Sequence, residues 1–419
     1  MVGPGHLTLV KRFAGVAAVL ALSLSACGGA ASSPPPATSS AAAAASPAAK
    51  PASAAASAGA KPAASAKPAA KPSIAGAVAA LAGGSAGPAA TGQFTSGNPY
   101  LAKPGEQPVT VKAGWCAISA GFLQLYVARD YDLFSKYGIK IQTQGMNAGA
   151  NAALAALTKG DFDFLYCAAA GTIPGLASGV PDTLVAAPLV GLPYVMVANK
   201  NIHSVQDLKG KKIGISHPGD LDDVLSHDVL KKNNVDASTV TMVPAGGQTQ
   251  RYQNILAGVI DAANVTPPLE VQAKNDGLNV IYQLKDLNIP FIYSAIHTNE
   301  NMLKNHPQTV QRFVAAMAES SWFMSTHKQQ AEASITKQLG IKDQNALDSA
   351  YQAYGKTYAN LSVDIPMTAV QASIDLAKTQ GTPVTKDQAA QLVDLKYVQD
   401  LQTSGFLEKM WGKKIPPSK

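Results

Sequence analysis

The chain has 419 residues, 47% hydrophobic, 6% aromatic and 15% charged, with 35 Gly, 27 Pro and 3 Cys, a length that allows two or three ordinary domains. Its formal net charge of +7 is confined to residues 1–105, which hold seven basic residues and no Asp or Glu; beyond them 27 basic residues balance 27 acidic ones. A folded part with balanced charge and no basic run lacks the clustered positive face that counterion release requires, so nucleic acid is excluded as a partner.

The chain opens with a basic pair, Lys11-Arg12, followed by an apolar run over 13–24. That run is too short to span a bilayer, which takes roughly 20 residues, and reads as a signal peptide. It ends in Leu24-Ser25-Ala26-Cys27-Gly28, which resembles the lipobox of bacterial lipoproteins. The resemblance implies that Cys27 is acylated and becomes the first residue of the mature chain, anchored to a membrane. Residues 28–105 are almost entirely Ala, Ser, Pro, Gly and Lys. Such a segment has little to bury against the entropy of ordering, and is expected to be a disordered tether. As a flexible coil it would reach on the order of 50 Å.

From residue 106 the pattern alternates. Strands are predicted at 109–115, 139–144, 162–166, 184–187, 194–198, 212–215, 240–243, 262–265, 280–282 and 291–296, with helices between them at 122–136, 150–158, 220–232 and 250–256. After about residue 290 helices dominate, and Phe313, Val314, Met317 and Trp322 share one helical face, the side expected to be buried. Strand alternating with helix predicts parallel pairing and a doubly wound α/β fold. In such sheets ligands bind beyond the carboxyl ends of the strands. The turns there are rich in small residues: 116–121, 145–149, 167–172, 216–219 and 266–268. Small residues leave helix N-terminal N–H groups uncovered for a polar ligand.

Four segments carry a family resemblance. The run 121–139, ending Tyr131-Asp132-Leu133-Phe134-Ser135-Lys136-Tyr137-Gly138-Ile139, resembles the opening of periplasmic solute-binding proteins. Three further runs are similar to theirs in the same order: 155–164 (AALTKGDFDF), 205–214 (VQDLKGKKIG) and 256–268 (LAGVIDAA followed by Pro267-Pro268). Together they resemble the nitrate/sulfonate/taurine and thiamine-pyrimidine-precursor group of ABC-transporter solute-binding proteins over about residues 107–400. The resemblance implies a type II binding-protein fold, with lobe one at 106–198 and 292–419, lobe two at 199–291, and a hinge that closes on a small solute. It also implies an ABC permease as partner and a monomer needing no cofactor.

By family position Ser119, Asn147, Ala170 and Thr172 of lobe one would offer hydrogen bonds to the solute, although Ser, Asn and Thr also serve as helix caps. His217, Gly219, Thr266 and Pro267 occupy the matching turns of lobe two. Trp115 and Tyr166 read as core aromatics, whereas Tyr194, beside a crossover, is the better candidate for a pocket wall. Arg251 stands at a helix start, where a cation opposes the dipole unless an anion is near; it is the preferred partner for a carboxylate or sulfonate. Asp220 and Asp223 resemble a capping pair, the alternative being that a carboxylate here meets an amine or ring N–H of the solute. His217, Asp223 and His227 have weak metal-ligand spacing, and no metal is expected. Cys116 and Cys167 end neighbouring strands; buried free thiols are expected, with a disulfide allowed in an exported chain.

Two other functions stand beside a solute-binding component. Fungal pyrimidine-precursor synthases share the fold but carry a cysteine-rich iron-binding run that this sequence lacks, and neither a G-x-S-x-G elbow nor an H-E-x-x-H pair is present. A tethered sensor or scaffold needs the same clamp as a transport protein and is not separable from it by sequence.

Overall fold

The computed structural model describes residues 94–146 and 149–417. Among these residues ten strands form two five-stranded mixed sheets. The first has the order β2-β1-β3-β10-β4, built from β1 (Val109–Trp115), β2 (Ile139–Gly145), β3 (Phe164–Ala168), β4 (Thr183–Val190) and β10 (Ile292–Thr298). The second, β7-β6-β8-β5-β9, is built from β5 (Val195–Ala198), β6 (Lys212–Ile215), β7 (Thr241–Pro244), β8 (Ala262–Val265) and β9 (Asn279–Gln283). Helices α1 (Leu123–Asp130), α2 (Gly149–Lys159) and α3 (Ala169–Ala177) serve the first sheet. Helices α4 (Leu221–Lys232), α5 (Gln248–Leu256) and α6 (Leu269–Asn275) serve the second.

β1 pairs in parallel with β2, Val109 opposite Ile139 through Trp115 opposite Gly145. The last pairing requires glycine, since a Cβ at position 145 would sit 2.6 Å from Trp115 Nε1. The purely parallel expectation fails at one strand of each sheet. β10 runs antiparallel to both β3 and β4, and β5 antiparallel to both β8 and β9. Each of these strands follows a passage of the chain between the sheets, so its direction is set by the crossing and not by a helical crossover.

The sheets also move one predicted boundary. β5 belongs to the second sheet, so the chain leaves lobe one at 191–194, ahead of the expected break at 198, and returns over 284–291. The two passages are bonded to each other, Gly191 N–H to Phe291 O at 2.7 Å and Leu284 N–H to Tyr194 O at 3.0 Å.

After β10 the chain is helical: α7 (Glu300–Asn305), α8 (Pro307–Thr326), α9 (Lys328–Leu339), α10 (Gln344–Ala350), a π-helical turn (Tyr351–Thr357), α11 (Met367–Thr379), α12 (Lys396–Thr403) and α13 (Phe406–Trp411). α8 starts on Pro307, whose missing N–H costs nothing at a helix start. Phe313, Val314 and Met317 are buried as expected, with Trp322 half-buried. Phe313 stacks on Phe164 of β3 at 3.8 Å and lies 5.2 Å from Phe134, which fixes α8 on the first sheet. No helix among the described residues is long and apolar enough to cross a membrane.

Residues 94–105, expected to belong to the tether, are packed against lobe one. Phe94 and Tyr100 meet Phe406 edge-on at 5.5 and 5.1 Å, and the Tyr100 hydroxyl donates to Asp400 at 2.7 Å. Phe94 N–H donates to buried Glu319 at 2.8 Å. Two aromatics in an otherwise bland segment suffice to reverse its entropy balance locally.

Candidate functional site

The carboxyl ends of β1 and β3 lie side by side, with Trp115 opposite Tyr166. The next residue of each strand is a cysteine, and Cys116 and Cys167 form a disulfide with Cα atoms 5.3 Å apart. This corrects the expectation of free thiols: parallel register brings the two side chains to bonding distance. Trp115 packs edge-on to Tyr126 at 5.3 Å, and Tyr166 donates to Gln124 at 2.9 Å, so both are core residues.

The candidate residues fall into three groups. Ala170 and Gly219 line one cavity of about 550 Å³ between the lobes. Its lobe-one wall is the first turns of α3, one face of α11 and the residue that ends it, including Gly171, Ser373 and Gln380; its lobe-two wall is the Ser216 turn and α4, with Asp220, Asp222 and Asp228; Pro290 and Phe291 of the crossing form part of the lining. Gln380 Nε2 bridges the two walls by donating to Gly219 O. His217 flanks this turn, exposed, with Nδ1 3.3 Å from Asp220.

A second group meets at the crossing. Tyr194 is half-buried and lies 6.1 Å from Tyr293, which is 5.8 Å from Tyr354. Burial pushes the hydroxyls of Tyr194 and Tyr354 well above their usual range, and these groups stay neutral donors. The Thr266 N–H and hydroxyl both donate to Gln248 Oε1 at 2.8 and 3.0 Å, and Pro267 O accepts from the Tyr354 hydroxyl at 3.1 Å.

The remaining candidates are engaged inside the protein. Ser119 Oγ accepts from Gly121 N–H at 3.0 Å, the capping role. Thr172 is fully buried and its hydroxyl is bonded to His297 Nε2 at 2.8 Å, so its side chain does not offer a bond to a solute. Arg251 is also reassigned. It is 3% exposed, its Nη1 lies 2.9 Å from Asp222, and it donates to Gly246 O at 2.7 Å and Asn264 O at 3.3 Å. The anion that its position at a helix start demands is therefore Asp222, a residue of the protein itself. Asn147 and Cys27 lie outside the described residues.

The acidic start of α4 differs from the expected capping pair. Asp220 stands at the N-cap but makes no capping bond, and its carboxylate meets Ser216 Oγ at 2.6 Å. Asp223 reaches back to Gly219 N–H at 2.8 Å, and Asp222 accepts from Ser216 N–H at 2.7 Å. Asp223 lies 3.4 Å from His227, while among the described residues no group of three or more His, Cys, Asp or Glu side chains is placed to hold a metal ion. Asp222 was legible only as one of an acidic run. Tyr293, Tyr354 and the α11 wall were not singled out, because the sequence gives no sign of which helix closes over a cleft formed by segments far earlier in the chain.

The NMT1/THI5 like family model matches residues 119–331. Over 113 residues the chain is 33% identical to a Brachyspira hyodysenteriae protein named as an ABC transporter periplasmic binding protein, covering 27% of this chain and 32% of that protein. The match thus spans about a third of that relative's length. A Brucella abortus protein named as a binding protein is 27% identical over 241 residues, 57% of this chain and 74% of its own length. Among solved structures, the alkanesulfonate-binding protein SsuA from Xanthomonas axonopodis pv. citri, bound to MOPS, has a TM-score of 0.56 at 17% identity over 69% of this chain and 99% of that one. At that identity the likeness is one of fold, and the fold is that of periplasmic binding proteins.

Proposed function

The chain belongs to the NMT1/THI5-like family, and from that premise we propose that it is the extracytoplasmic, lipid-anchored solute-binding component of an ABC importer, held to the membrane through Cys27. The observation that carries the reading is the 550 Å³ cavity lined from both lobes across two crossing segments, the arrangement a clamp needs to close on a small molecule. Closure would be what a permease partner reads. A tethered sensor is the second reading, favoured by the same clamp.

Of the solute classes the family suggests, a pyrimidine-like molecule with an amine or ring N–H fits this chain better than a sulfonate or carboxylate. Arg251 is neutralised by Asp222. Among the described residues the cavity lining contains Asp220, Asp222 and Asp228 and no Lys, Arg or His. Burial holds the Asp228 carboxyl above its usual range, and a donor from the solute would relieve that cost.

A thermal-shift screen of sulfonates, carboxylates, amino acids and aminopyrimidines tests both levels. A true ligand at 100 times its Kd adds about 2.7 kcal/mol of stability. Aminopyrimidines should raise the midpoint, and Asp228→Asn should remove the effect. If sulfonates alone raise it, the solute class is wrong and the clamp stands. If no compound does, the binding function itself is withdrawn.

A further inference from the structure

The helical section after β10, expected to pack on lobe one, also touches lobe two. Its anchorage on lobe one is firm. Tyr358 O accepts from Val190 N–H at 3.0 Å, Asn360 N–H donates to Pro188 O at 2.8 Å, and Val363 O accepts from Ala187 N–H at 2.9 Å, so residues 358–363 run along β4. The Tyr351 hydroxyl donates to Ser325 O of α8 at 3.1 Å. From this base the π-helical turn Tyr351–Thr357 carries Tyr354, fully buried, across to lobe two, where its hydroxyl donates to Pro267 O at 3.1 Å. One turn earlier Ser349 Oγ of α10 donates to Glu270 of α6. Glu270 is 8% exposed and its other carboxylate oxygen is buried without a hydrogen-bond partner.

We propose that α10 and the π-helical turn form a latch, carried by lobe one, that holds lobe two in the closed position, with Ser349 and Tyr354 as its contact residues. Neither residue lines the cavity; they act as positioning residues through the angle between the lobes. Single π-helical turns within helices are rare and are frequent at functional sites. Here the turn carries Tyr354, which packs on Tyr293 of β10 and extends its hydroxyl to Pro267 O of lobe two. Opening the lobes would break both contacts at once and expose a buried tyrosine and a buried carboxylate together, so the latch makes closure more nearly two-state. Its bearing on solute affinity rests on the clamp function proposed above; its existence does not.

Hydrogen exchange on the full chain without any solute tests the latch directly. In Tyr354→Phe and Ser349→Ala, the amides of 266 and 269–275 should exchange roughly five-fold faster, one net hydrogen bond's worth, while amides of β4 and β10 keep their wild-type rates. Ser349→Thr, which keeps the hydroxyl, should behave as wild type. Unchanged rates at 266–275 overturn the latch, and so does acceleration spread evenly through β4 and β10, which would mark these residues as ordinary lobe-one packing. Either result leaves solute binding, measured separately by thermal shift, free to stand or fall by itself.

Discussion

Arg251 Nη1 lies 2.9 Å from a carboxylate oxygen of Asp222, with both side chains almost entirely shielded from water. Burial pulls the guanidinium pKa down and Asp222 pulls it back up, so the pair is held by mutual need. Asp222→Ala leaves a buried cation without its counter-ion and should cost about 3–5 kcal/mol. Converting both to apolar residues, Asp222→Leu with Arg251→Met, should recover most of that loss. Urea unfolding of the two single variants and the double variant gives the coupling; simple additivity of the losses would show that the pair is not the element holding α4 to α5.

The disulfide is the second element next to the cleft. Cys116 and Cys167 are 51 residues apart in sequence, and closing a loop of that size is worth about 4 kcal/mol in the chain-entropy account. Cys116→Ser with Cys167→Ser should lower stability by about 2–4 kcal/mol. Intact mass under denaturing, non-reducing conditions should rise by two hydrogens on reduction; a thiol assay that titrates both cysteines without reductant would contradict the pairing.

Much of this was legible in advance, for definable reasons. All ten strands were foreseen because their apolar runs are short and bounded by turn residues, and three of them, Val109–Trp115, Lys212–Ile215 and Ala262–Val265, at their observed limits. β3 was placed two residues early, since Phe162 is as apolar as the strand itself; the chain is still turning there, with Asp163 N–H bonded to Lys112 O. The directions of β5 and β10 were hidden because an antiparallel strand reads like a parallel one. The site was less legible than the fold. Ala170 and Gly219, chosen for the composition of their turns, do line a cavity, because turn composition is local. The partners of Arg251 and Thr172, and the α11 wall, arise from packing between segments far apart in sequence, and no local pattern encodes them.

Two buried titrating groups of lobe one give opposite pH dependences. Burial raises the Asp182 carboxyl to about 6. Its folded form therefore holds the proton longer than the unfolded chain, and the stability this confers at low pH is lost as pH rises through about 6. Burial lowers the His297 imidazole to about 4, so the unfolded chain takes up the proton first and stability falls as pH drops from about 6.5 towards 4. Between these limits the slopes oppose each other. Asp182→Asn should leave a stability that rises with pH across the window, and His297→Gln one that falls. Midpoints measured from about pH 4.5 to 7 would reject the assignment if both variants kept the wild-type slope.

The ordered segment ahead of β1 makes the last case. Glu319 is fully buried on α8 and accepts from Phe94 N–H at 2.8 Å and from the Tyr137 hydroxyl at 2.6 Å, with Lys136 as its ion pair. Glu106 binds Arg312 at 2.8 Å, and that guanidinium holds its carboxyl down at about 2. A chain beginning at residue 94 keeps every one of these contacts. One beginning at residue 107 strips Phe94 and Tyr100 from Phe406, removes a donor from Glu319 and leaves Arg312, 6% exposed, without its carboxylate. Burying an aromatic side chain contributes about 1.5–3 kcal/mol, and an unpaired buried charge costs more than an unpaired amide. The shorter chain should therefore unfold at least about 3 kcal/mol more easily than the longer one. Equal urea midpoints for the two would mean that residues 94–106 lie on the surface without holding it, and the globular unit would begin where the composition first suggested.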